Sequence, residues 1–116
     1  MIKLPDEQLQ AIADFWASQY QLEATEDQLK KFKESLKAEV SHGLQDLPWI
    51  ESEPHFGSYL RKFITFVEYG ASPVLKKSLE TANLKDSIFS FDWKLCLSID
   101  PGSVTVHETG EVVWQE

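Results

Sequence analysis

Three histidines, one cysteine and two closely spaced pairs of acids are the residues in this chain whose types could do chemistry. His42, His55 and His107 lie far apart, and no two have the i,i+3 or i,i+4 spacing that puts a pair of imidazoles on one helical face for a metal. A general acid and a general base can still come from separate segments, so a small histidine-dependent hydrolase or nuclease is one reading of these residues. The charge opposes its nuclease form. Lys and Arg number 11 against 19 Asp and Glu, a net charge of −8, whereas affinity for a phosphate backbone comes largely from cations displacing counterions.

Cys96 sits between Leu95 and Leu97 in an alternating run, where a free thiol packs as a small hydrophobe unless a neighbour stabilises its thiolate. Glu51 and Glu53 flank Ser52, and Glu108 and Glu111 flank a turn; two carboxylates do acid–base work only when their environments separate their pKa values, and both pairs read as surface charge. No P-loop, dinucleotide fingerprint, nucleophile elbow or EF-hand loop occurs. The expectation is a protein without catalytic residues, metal or cofactor.

What remains is a surface argument. Aromatic residues stand beside acids where periodicity does not demand them, in Trp49-Ile50-Glu51-Ser52-Glu53, in Phe91-Asp92-Trp93 and at Trp114. Interfaces place aromatic anchors inside a polar rim, and acids in that rim select a basic partner. Between Asp92 and Glu116 one Lys faces five acids, so the excess of negative charge concentrates towards the end of the sequence. The expected contact set is therefore Trp49, Glu51, Glu53, Asp92, Glu108, Glu111 and Trp114, with Trp16 and Trp93 read as core. The leading expectation is an acidic interaction domain that binds and blocks a basic protein. In general character it is similar to immunity proteins that neutralise nuclease toxins, although no family motif stands in these residues. An adaptor or homo-oligomer subunit is the third reading.

These residues must be positioned by elements that the hydropathy pattern outlines. Leu9, Ile12, Ala13, Trp16 and Tyr20 share one face of a helix from about Pro5 to Tyr20, with Asp6 and Glu7 at its positive end. Thr25-Glu26-Asp27-Gln28 is a capping box that opens a second helix with Leu29, Phe32, Leu36 and Val40 inward and Gly43 as its stop. The lysines of this helix, Lys30, Lys31, Lys33 and Lys37, interleave with acids and read as a solvated face. Residues 44–57, with Pro48, Pro54 and Gly57, read as an irregular connection. Leu60, Phe63, Ile64 and Val67 predict a third helix ending at Gly70, and Ser72-Pro73 opens a fourth that Asn83 terminates.

Past Asp86 the period changes from 3.6 to 2. Leu95, Leu97 and Ile99 alternate with Lys94, Cys96 and Ser98, as in a half-buried strand. Asp100-Pro101-Gly102-Ser103 is a turn, Val104 to Glu108 a second strand, and Glu111 to Gln115 a third after Thr109-Gly110. Ile88-Phe89-Ser90-Phe91 is a candidate fourth strand. The expected fold is α+β over residues 1–116 as one domain, with about four helices packed on a C-terminal three-stranded antiparallel meander. The acidic start lacks the apolar run of a signal peptide, no stretch nears the ~18 apolar residues of a membrane span, and a lone cysteine suits a reducing compartment, so the expected location is cytoplasmic.

Overall fold

Helix formation begins where the backbone is already set for it. In the computed structural model, which describes residues 4–18, 24–44, 47, 49–57, 65–67, 70–84 and 94–116, Pro5 is the extended N-cap of α1 (Asp6–Ala17). Its carbonyl accepts hydrogen bonds from the amides of Gln8 and Leu9, and Asp6 and Glu7 occupy the first turn, where the dipole favours anions. Ile12, Ala13 and Trp16 are buried on one face, as the spacing predicts.

The capping box forms before α2 (Glu26–Gly43): the Gln28 amide donates to Thr25 Oγ1 at 3.1 Å, and the Thr25 amide donates to Gln28 Oε1 at 3.0 Å. Phe32, Leu36 and Val40 are completely buried. The helix does stop at Gly43, but without a left-handed glycine, since the cap is Leu44 in the right-handed region. Left-handed backbone is used instead after α3 (Pro73–Thr81), at Asn83 with φ +58°. There the Leu84 amide donates to the Leu79 carbonyl and the Asn83 amide to the Glu80 carbonyl, the paired bonds of a Schellman motif.

Five strands follow the antiparallel order β2-β1-β3-β4-β5: β1 (Thr65–Val67), β2 (Gly70–Ala71), β3 (Lys94–Asp100), β4 (Ser103–Val106) and β5 (Val112–Gln115). The C-terminal meander is present as expected. The third expected helix is not: Thr65, Phe66 and Val67 pair with Cys96, Leu95 and Lys94 of β3, and Phe66 also pairs with Ala71. A short apolar run is ambiguous between helix and buried strand, and an available strand edge together with β-branched and aromatic residues decides for the strand. The described residues thus contain three helices, not four. The rest of the expected third helix, and the candidate strand Ile88 to Phe91, lie outside the described residues.

One core joins the helices to the sheet. Leu97 and Ile99 of β3 and Val104 and Val106 of β4 face Trp16, Phe32, Leu36, Leu75 and Leu79, with Trp114 of β5 packed at its margin. Truncating Leu36 to Ala is expected to cost ~2–5 kcal/mol, read as a lower urea midpoint at unchanged slope. Asn83→Ala, which puts an ordinary side chain at a left-handed φ, should cost about 1 kcal/mol, whereas Asn83→Gly should be close to neutral.

Candidate functional site

Strand β3 was expected to bury one face and leave the other, carrying Cys96 and Ser98, against solvent. It buries both: Cys96, Ser98 and Asp100 are 3%, 7% and 3% exposed. Asp100 ends this second face, and its carboxylate Oδ2 lies 3.4 Å from His55 Nδ1 on the 49–57 segment, although the imidazole itself is largely in solvent. Within that segment the Glu53 amide donates to the Ile50 carbonyl and the Phe56 amide to the Glu53 carbonyl, two successive tight turns. Ile50 and Phe56 are left 38% and 55% exposed.

The turn after Asp100 is tied to the first helix. Gly102 takes φ +82°, the positive value that a type II turn requires at its third position. Buried Gln8 reaches it across the fold: Nε2 donates to the Asp100 carbonyl at 2.8 Å and to the Ser103 carbonyl at 3.2 Å. Two carbonyls can only accept, so the amide nitrogen must face them and Gln8 Oε1 points away, with no hydrogen-bond partner among the described residues. Beside this junction lies a cleft of about 190 Å3. Pro5 and Gln8 contribute from the start of α1, Trp49 and Glu51 from the connection, and Pro101, Gly102 and Glu116 from the sheet end.

A larger groove of about 370 Å3 follows α1 and α2, lined in part by Lys30, Lys33 and Lys37. Two of these lysines are engaged within the fold: Lys33 Nζ is 3.2 Å from Asp14, and Lys37 Nζ donates to Gln10 Oε1 at 2.9 Å and lies 3.8 Å from Asp6. This is the solvated, acid-balanced face the sequence describes.

The residues expected to form one contact surface are divided by β4. Trp49 and Glu51 meet at the cleft, at the end of the strand where Ser103 begins, and Glu53 is exposed nearby in sequence. Glu108 and Glu111 lie beyond Val106 at the other end of the strand. Glu108 is also committed structurally, because its Oε1 accepts the Cys96 amide at 2.8 Å. Trp114 is half-buried opposite Val104, and Asp92 lies outside the described residues. No group of three or more His, Cys, Asp or Glu that could hold a metal occurs among the described residues.

Gln8, Asp100, Ile50 and Phe56 were missed. Gln8 did leave a signal: it precedes Ile12 by four residues and Trp16 by eight, so a polar side chain occupies the apolar stripe and needs a buried partner.

Residues 6–113 match the BTG family. The chain belongs to that family. Among solved structures it is similar to the BTG/Tob domain of C. elegans FOG-3, at 17% identity and a TM-score of 0.75, over 95% of this chain and 82% of that one. No curated protein matches the sequence as a relative. The likeness to FOG-3 shows the fold, and the family match overturns the toxin-neutralising expectation: nothing in a BTG chain supports an immunity protein or a basic toxin as its partner. Net charge misled because it is compatible with many functions and diagnostic of none; negative charge alone also serves solubility.

Two substitutions test how this BTG-family chain builds the junction. Gln8→Ala strips a buried and a part-buried carbonyl of their shared donor and should cost ~1–3 kcal/mol in chemical denaturation. Gly102→Ala places a Cβ 3.4 Å from Glu116 Oε2 at a left-handed φ and should cost about 1 kcal/mol.

Proposed function

We propose that this chain is a non-catalytic protein-binding module whose contact surface centres on the 49–57 segment. BTG/Tob domains are in general protein-interaction domains, and membership in the family supports the reading. The observation that carries it is the state of Ile50 and Phe56: two large apolar side chains held in solvent on a segment anchored by His55 to a buried carboxylate. Exposed apolar residues on a fixed scaffold lose little conformational freedom on docking, which is the property of an interface anchor. Trp49, Glu51 and Glu53 adjoin them in sequence and form the polar and aromatic surround.

A cytoplasmic location belongs to the same reading. Cys96 is the single cysteine of the sequence and is buried as a thiol, which suits a reducing compartment, and no helix among the described residues is long and apolar enough to cross a membrane.

Photo-crosslinking tests the surface directly. A benzophenone side chain at position 56 should give discrete protein adducts that Ile50→Ser abolishes while the melting temperature holds. The same probe at Lys31, exposed on α2, should give none. Identical adducts from both positions, or none from position 56, would remove the 49–57 segment from the interface.

A further inference from the structure

The cleft at the Asp100–Ser103 turn has a chemistry of its own, although it shares Trp49 and Glu51 with the surround of the apolar surface just described. Among the described residues its lining has no lysine, arginine or histidine. The carboxylates of Glu51 and Glu116 line it, both residues are exposed, and neither forms an ion pair among the described residues. Trp49 adds an indole, and Pro5 and Pro101 add two pyrrolidine rings. Gln8, 0% exposed, also lines the cleft, with its Nε2 committed to two carbonyls and its Oε1 left as a buried acceptor without a donor.

We propose that this cleft is a recognition pocket for an alkylguanidinium group. An anion is opposed by the two carboxylates. A guanidinium matches each part of the lining: it is planar and weakly hydrated, it associates with indole faces, and its five donors can serve carboxylates and an amide oxygen together. An ammonium is the poorer fit, because its compact, strongly hydrated charge gives up more water on entering a partly apolar cleft. Gln8 lines the cleft while its Oε1 is closed to solvent, so pairing that oxygen requires a guanidinium N–H to displace part of the lining as it enters. Pairing that oxygen is the feature that separates this pocket from a merely acidic surface, since an orphaned buried acceptor gains a bond it otherwise lacks.

The group can come from a free small molecule or from an arginine side chain, and the probes distinguish the two. Titrate the full chain at low ionic strength with ethylguanidinium and with capped arginine, following the indole N–H of Trp49 and the side-chain amide of Gln8 by two-dimensional NMR; Trp49→Phe assigns the indole. Saturable shifts at both groups are expected, with no saturation by capped citrulline, which has nearly the same shape but no charge. Glu51→Gln should weaken binding about threefold, while Glu53→Gln, the same charge change outside the cleft, should leave it unchanged. Equal affinity for both cations makes the guanidinium alone the ligand. A preference of about tenfold for capped arginine assigns the pocket to a peptide side chain, and either result sustains the proposal. Linear, unsaturating shifts, equal response to citrulline, or equal weakening by Glu53→Gln overturns it. None of these readouts depends on whether the 49–57 segment binds a protein.

Discussion

Strand β3 is constrained on all four of its sides, and the rest of the fold follows from that. Its backbone pairs with β1 along one edge and β4 along the other. Leu97 and Ile99 face the helices, and Cys96, Ser98 and Asp100 are buried on the reverse. A strand in that position cannot slip by one residue, because the shift would exchange Leu97 and Ile99 for Ser98 and Asp100 in the core. Fixing β3 fixes where the Asp100 turn emerges, and with it the junction that Gln8 closes. The helices then have one sheet face to cover, which sets α1 against β4 and β5 while α2 packs between α1 and α3.

The functional surfaces derive from the same constraint. Asp100 closes the second face of β3, so its carboxylate is buried while its carbonyl meets Gln8 from the opposite layer. One residue thus links the 49–57 segment to α1. The segment gains a fixed place without regular secondary structure, through two tight turns and the His55 contact. Rigid loops on a scaffold are where proteins commonly put recognition, since the scaffold carries stability and leaves the loop free to vary.

Much of the architecture was legible because local signals agreed with one another. The Thr25 capping box, the Ser72-Pro73 start, the left-handed Asn83 stop and the Asp100-Pro101-Gly102-Ser103 turn each depend on bonds within a few residues. Thr65-Phe66-Val67 depends on a partner about thirty residues away, Thr65 on Cys96, and periodicity within the segment carries no trace of it. The burial of Ser98 and Asp100 was hidden for a related reason: alternation records which residues share a face, not how many faces are covered. At the site, Trp49 and Glu51 were legible as aromatic beside acid, and the structure does bring them together. Glu108 and Glu111 resembled them in type, but strand length carries them to the far end of β4, a separation that only the pairing register reveals.

Native-state hydrogen exchange tests the central place of β3 most directly. The protected amides of Lys94–Asp100 should exchange only through global unfolding, with opening free energies equal to that from denaturant, while β2, β5 and the 49–57 segment open at lower cost. Exchange in β3 as fast as in the edge strands would contradict the account, for it would mean that the sheet is organised around some other strand.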